Sequence, residues 1–210
     1  MTQRLEDAGF VYRFEPAAEA EAGVAPLLLL HGTGGDESDL IGLGRALAPG
    51  RALISPRGPV LEHGQPRFFR RLAEGVFDEA DVRRRADELA AFIAVVRARH
   101  GLAAPVAAGF SNGANIAAAV LWRHPGALAG ALLLRAMVPL SAAPAGGLAG
   151  TPVALLSGAF DPIVPEDNAA RLAARLGEAG ADVRHEVLPA GHGLTQADLK
   201  IGQDFLSETR

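Results

Sequence analysis

The sequence predicts an α/β fold: one open, mostly parallel sheet with helices on both faces. Three observations carry that expectation. Residues 25–30 (APLLLL) form an unbroken apolar run, as a strand does when both of its faces are covered. Between Pro105 and Leu134 the apolar pattern passes from strand to helix and back to strand within 30 residues, which makes a βαβ unit. The alternation continues to the C-terminus without an internal repeat or linker, so residues 1–210 are read as one domain.

In chain order, Phe10 to Phe14 alternates weakly and reads as an edge strand, and Ala25 to Leu30 is the first buried strand, ending in the polar loop HGTGG. Glu37 to Leu47 reads as a short helix and Ala52 to Ser55 as a strand, followed by a Pro/Gly-rich loop over 56–78. The longest helix is Glu79 to His100, with Val82, Leu89, Phe92, Ile93 and Val96 on one face and Arg83 to Arg85 on a solvated one. Pro105 to Phe110 is a strand, Asn112 to His124 a helix and Ala127 to Leu134 a strand. After an Ala/Pro/Gly loop come the strand Pro152 to Ser157, the helix Pro165 to Gly177, the strand Val183 to Leu188 and the closing helix Thr195 to Ser207.

Composition narrows the function. A chain of 210 residues has room for one core and buries about 70% of the surface its unfolded form exposes. A formal charge of −4 supplies no surplus of Lys and Arg for phosphate, so nucleic acid is not an expected partner. With no cysteine there is neither a disulfide nor a thiolate nucleophile or ligand. The opening MTQRLEDAGFVYRFEP lacks the apolar core of a signal peptide, and no apolar run approaches the roughly 20 residues of a membrane span. The expectation is a cytoplasmic protein, with its oligomeric state, a homodimer included, left open.

Chemistry enters at GFSNG, where Ser111 stands between Gly109 and Gly113 at the junction of a strand and a helix. One reading makes Ser111 a helix cap. The other makes it the nucleophile of a G-x-S-x-G elbow, a turn tight enough to need small residues on either side of a strained serine. A serine hydroxyl attacks only when a base takes its proton, so the second reading demands a carboxylate and then a histidine further along. Asp161 in SGAFDPIVP and His192 in PAGHGLT meet that order, each just beyond the carboxyl end of a strand. The backbone N–H of Asn112 would meet the developing oxyanion at the start of a helix, and the HGTGG loop would supply a second donor, assigned to Thr33. HGTGG could otherwise be a plain turn or a phosphate loop, but it lacks a Walker lysine and the G-x-G-x-x-G spacing.

These segments together resemble the α/β-hydrolase superfamily, and within it the small carboxylesterase/phospholipase family that includes acyl-protein thioesterases. LLLLHGTGG, GFSNGANIA, SGAFDPIVP and PAGHGLT fall in family order over nearly the whole chain. The resemblance implies a triad of Ser111, Asp161 and His192 with an oxyanion hole at Thr33 and Asn112, in a compact single-domain α/β-hydrolase without a large separate lid domain. Where the thioesterase branch has Gln and a second Gly after the serine, this chain has Asn112 and Ala114, which places it nearer bacterial esterases. The reading is a serine carboxylesterase acting on a small-molecule ester without a cofactor. A lysophospholipase or acyl thioesterase is the nearest alternative, and a hydrolase-like protein that only binds a ligand is an alternative of another class.

Of the remaining candidates, Asp167 rivals Asp161 but falls early in a helix, where an acid serves the helix dipole. Asp36 and Asp39 read as loop and capping residues. His31 is taken to shape the oxyanion loop, and His63, His100, His124 and His185 as ordinary surface or terminal residues. No H-x-x-x-H pair or carboxylate cluster suggests a metal. Phe68, Phe69, Ile163 and Val164 are candidate pocket residues; the phenylalanines, with Phe77, could instead anchor the 56–78 loop to the core.

Overall fold

The structure, a computed structural model, describes residues 2–21, 23–144 and 146–209. The chain opens with a hairpin. β1 (Gln3–Asp7) and β2 (Phe10–Glu15) pair antiparallel with Asp7 opposite Phe10, and the linking residues Ala8 (φ 47°) and Gly9 (φ 80°) both adopt the left-handed conformation that a two-residue hairpin turn requires. The sequence places the Phe10–Phe14 segment at the sheet edge; the structure puts β1 outside it. QRLED carries one apolar residue among five, so no hydrophobic alternation announces it as a strand.

β3 (Leu27–Leu30), α1 (Ile41–Leu47) and β4 (Leu53–Pro56) follow. The helix is shorter than Glu37 to Leu47 because Asp36 Oδ1 accepts the N–H of Ser38, a local turn that competes with helix. The 56–78 segment, read as a loop, contains two hairpins: β5 (Val60–Glu62) with β6 (Gln65–Arg67), and β7 (Arg71–Ala73) with β8 (Val76–Phe77). Strands of two or three residues are too short to show a period, and the turn His63–Gly64 reveals itself only through its positive φ values, 50° and 80°.

The remainder follows the expected alternation: α2 (Glu79–His100), β9 (Val106–Phe110), α3 (Asn112–Arg123), β10 (Gly130–Leu134), β11 (Pro152–Gly158), α4 (Glu166–Glu178), β12 (Asp182–Leu188) and α5 (Gln196–Glu208). The eight-stranded sheet has the order β1-β2-β4-β3-β9-β10-β11-β12. It is parallel from β4 to β12 and antiparallel where β1 and β2 join.

The leucine run explains the layering. Leu28 and Leu30 join the core under α2, α3 and α4, whereas Leu27 and Leu29 join the core under α1 and α5. All four are fully buried, each contributing about 1.5–3 kcal/mol of hydrophobic stabilisation. A period of two cannot be seen in a strand whose two faces are both apolar, which is why the run is continuous. The carboxyl ends of β3, β9, β10, β11 and β12 then meet at one edge of the sheet, where the loops bearing Thr33, Ser111, Arg135, Asp161 and His192 begin.

Candidate active site

Ser111 follows β9 directly and holds φ 52°, ψ −113°, a conformation that costs a non-glycine residue about 1–3 kcal/mol. Its backbone is fixed by two bonds: its N–H donates to Leu134 O at 2.8 Å, and its carbonyl accepts from Asn115 N at 3.0 Å. The flanking glycines are needed because backbone passes close by. A Cβ on Gly109 would lie 2.6 Å from Gly113 O, and one on Gly113 would lie 2.0 Å from Leu30 O. Although Ser111 occupies the N-cap position of α3, its side chain makes no capping bond. Its Oγ instead meets His192 Nε2 at 3.0 Å.

The other ring nitrogen of His192, Nδ1, lies 2.8 Å from Asp161 Oδ2. A carboxylate only accepts, so Nδ1 carries the proton and Nε2 presents its lone pair to the serine hydroxyl. The Asp161 side chain is buried, and its other oxygen accepts the N–H groups of Ile163 (2.8 Å) and Val164 (3.0 Å). Asp167 is elsewhere: its side chain is 71% exposed and pairs with Arg171 one helical turn on. The Asp161 and His192 loops are pressed together at Gly158, where a Cβ would sit 2.5 Å from both Ala190 O and Gly191 O.

Thr33 and Asn112 line the same cavity as Ser111 and His192. Neither of their backbone N–H groups donates to an acceptor among the described residues. His31 braces the loop that presents Thr33. It is buried, its Nε2 accepts the N–H of Gly58 at 2.9 Å, and its Nδ1 therefore donates to Gly32 O at 2.6 Å. Burial lowers its pKa, which keeps the ring in the neutral form this bonding needs.

The cavity has a volume of about 250 Å³. Ile163 and Val164 line it, as the sequence suggests, but Phe68 and Phe69 do not. Both rings are fully buried behind the site, Phe68 against the imidazole of His31 (4.8 Å) and Phe69 edge-on to Phe77 (5.0 Å). Aromatic rings of this size are worth more to the fold packed away from water, and Phe77 takes the wall position instead.

Sequence reasoning misses Arg135, the residue after β10. It is completely buried with φ 57°, and it ties three segments together. Its guanidinium donates to the carbonyls on either side of the histidine, Gly191 O (2.9 Å) and Gly193 O (3.1 Å), and to Leu156 O (3.2 Å). It also makes a two-pronged pair with Asp198 at 2.7 and 2.9 Å. Asp198 in turn accepts from the N–H and hydroxyl of Thr195 at the start of α5. Burial alone would raise the pKa of Asp198; the Arg135 and Thr195 bonds outweigh it and hold the carboxyl below its ordinary range. The only trace of this in the sequence is a lone arginine ending the apolar run GALLLR.

A serine at a strained strand-to-helix turn, a histidine hydrogen-bonded to it and a carboxylate hydrogen-bonded to that histidine on later loops, and the whole at the carboxyl edge of a parallel sheet define the α/β-hydrolase class. The profile of the Phospholipase/Carboxylesterase family matches residues 15–210, and the chain belongs to that family. It is 42% identical over 184 residues to MhqD of Bacillus subtilis (strain 168), whose hydrolase name is itself provisional; the match covers 87% of this chain and 92% of MhqD. The structure is similar to the carboxylesterase of Bacillus cereus (TM-score 0.90, 36% identity, covering 100% of this chain and 95% of the other). It is likewise similar to a carboxylesterase from Mesorhizobium loti (TM-score 0.91, 31% identity, 98% of each chain). Among the described residues no helix is long and apolar enough to cross a membrane, and no group of three His, Cys, Asp or Glu is arranged to hold a metal.

Proposed function

We propose that this hydrolase is a serine carboxylesterase for small carboxylic esters, working through an acyl-enzyme on Ser111. The observation that carries the reading is the relay from Asp161 to His192 to Ser111, at 2.8 and 3.0 Å, around a serine hydroxyl that is withheld from helix capping. His192 Nε2 takes the hydroxyl proton as Oγ bonds to the ester carbonyl carbon, and the Asp161 carboxylate stabilises the imidazolium that forms. The negative charge passes to the former carbonyl oxygen, toward which the free N–H groups of Thr33 and Asn112 are available as donors. Collapse of the tetrahedral state breaks the bond to the alcohol oxygen, which leaves with the proton held by His192. Water, deprotonated by the same nitrogen, then releases the acid and restores the serine.

The cavity volume of about 250 Å³ lies below the roughly 300–1,000 Å³ usual for drug-sized ligands, which favours short esters over the long chains of a lysophospholipase or acyl-protein thioesterase substrate. The test is intact-mass labelling with a fluorophosphonate, followed by location of the modified peptide. A single adduct on Ser111 is expected, together with a loss of about 10⁴-fold or more in kcat for Ser111→Ala. An unlabelled protein with no esterase turnover would leave a ligand-binding protein on a hydrolase scaffold.

A further inference from the structure

The catalytic cavity contains polar groups that the triad and the two backbone amides do not use. Two carboxamides from the start of α3, Asn112 and Asn115, line it, and both are almost fully buried. Each has its oxygen end taken. Asn112 Oδ1 accepts the N–H of Phe68 at 2.7 Å, and Asn115 Oδ1 accepts the N–H of Met137 at 2.7 Å. A carboxamide whose oxygen is held by a donor has its orientation fixed, so the NH₂ group is the end left over. Nδ2 of Asn112 is buried without a hydrogen-bond partner, and no acceptor among the described residues meets Nδ2 of Asn115.

Arg67 lines the same cavity with its side chain only 4% exposed. Its Nε donates to Phe69 O at 3.3 Å and its Nη1 to Glu62 at 3.0 Å, while Nη2 meets no acceptor among the described residues. Glu62 is shared, since Arg71 Nε also donates to it. Among the described residues the one carboxylate lining the cavity, Glu74, is 64% exposed and screened by water, and it is occupied by Arg71. The buried part of the wall is therefore rich in donors and short of acceptors. Asn112 Nδ2 is closed off from the cavity, whereas Asn115 Nδ2 and Arg67 Nη2 keep access to it and are free to donate there. An alkyl chain filling the cavity would strip water from those two donors and return nothing. A carboxylate, with two oxygens and about four lone-pair sites, matches a carboxamide NH₂ group and a guanidinium arm.

We propose that Arg67 and Asn115 form a binding subsite for a carboxylate that the substrate carries a few bonds from its scissile carbonyl. The preferred substrates are then half-esters of diacids or acylated hydroxy acids, not simple alkyl esters. This deepens the esterase reading and rests on it.

Two matched pairs of esters test the subsite from both sides of the scissile bond. Monomethyl succinate is compared with methyl 4-methylpentanoate, and acetoxyacetate with isobutyl acetate; in each pair an isopropyl group replaces the carboxylate. We expect kcat/KM to be about tenfold or more higher for the acid-bearing member of at least one pair, and that ratio to fall toward one in Asn115→Leu and in Arg67→Met. Taking the ratio within one preparation cancels any loss of folded enzyme. Equal or better turnover of the apolar member in both pairs overturns the subsite and leaves the serine mechanism standing. A preference for the acid that survives both substitutions also overturns it, because recognition then lies elsewhere. No turnover of any of the four overturns the subsite too, and fluorophosphonate labelling of Ser111 then decides whether the mechanism falls with it.

Discussion

Gly113→Ala is the sharpest single perturbation of this site, because the structure sets the size of its effect. The new Cβ would lie 2.0 Å from Leu30 O, 2.4 Å from Leu30 C and 2.6 Å from His31 O, all backbone atoms that no rotamer change can move. Tolerable contact begins near 3.4 Å, so the start of α3 must move away from the end of β3 by about 1.4 Å. Those two segments carry the two proposed oxyanion donors, Asn112 on α3 and Thr33 on the loop after β3. A displacement of about 1 Å can cost a factor of about 10², and complete loss of one donor costs about 10²–10³. We therefore expect kcat on a short activated ester to fall by about 10²–10³ with little change in KM, since the donors act on the tetrahedral state. The overpacking should also destabilise the fold by about 1–3 kcal/mol, so activity is normalised to folded protein by circular dichroism. Gly177→Ala, on α4 with nothing within 4 Å of the added carbon, is the control and should leave kcat unchanged. A Gly113→Ala enzyme within threefold of the parent would refute the argument that this backbone contact sets the oxyanion geometry.

Asp161→Asn should lower kcat by orders of magnitude at neutral pH, because an amide can stabilise the wrong imidazole tautomer, whereas Asp167→Asn should stay within a few-fold; the reverse ranking would move the triad carboxylate to Asp167. Along a series of alkyl acyl esters, kcat/KM should peak at about two to six carbons, and a maximum beyond about ten would contradict the cavity argument. Burial lowers the pKa of His31, His100 and His185 from 6.5, so the unfolded chain binds protons at these sites where the folded one does not. Their contribution to stability is complete above about pH 6.5 and is lost as pH falls below it, so the melting temperature should decline from about pH 7 to pH 5; a flat profile would contradict those burials.

What was legible in the sequence, and what was not, divides along physical lines. The parallel core declares itself because strands covered on both faces must be apolar throughout, as Leu27–Leu30 is, and the long helices because their buried faces recur at helical spacing. Ser111, Asp161 and His192 can be located because each must stand just past a strand end, a constraint that local sequence satisfies. β1 and the four short strands of residues 60–77 leave no such mark: they bury little and are held by turn geometry. Arg135 and Asn115 could not be assigned roles from sequence because their partners lie 21 to 63 positions away. Phe68 and Phe69 fail differently, since an aromatic beside a site has the same composition whether it faces the cavity or the core.

The Arg135 clamp has a thermal consequence. The proposed catalytic histidine is held through Asp198 to the first turn of α5, a helix that buries four of its thirteen residues, whereas α3, which positions the serine, buries eleven of twelve. Elements with little buried surface open at lower free energy than the rest of a domain. Fraying of α5 would release Asp198, and with it the grip of Arg135 on Gly191 and Gly193, while the sheet and the serine turn remain folded. The enzyme should therefore lose reversible activity several degrees below the midpoint at which its circular dichroism collapses. Asp198→Asn should widen that interval, leaving a warm protein that is folded, still holds Ser111 in place, and has mislaid the histidine proposed as its base.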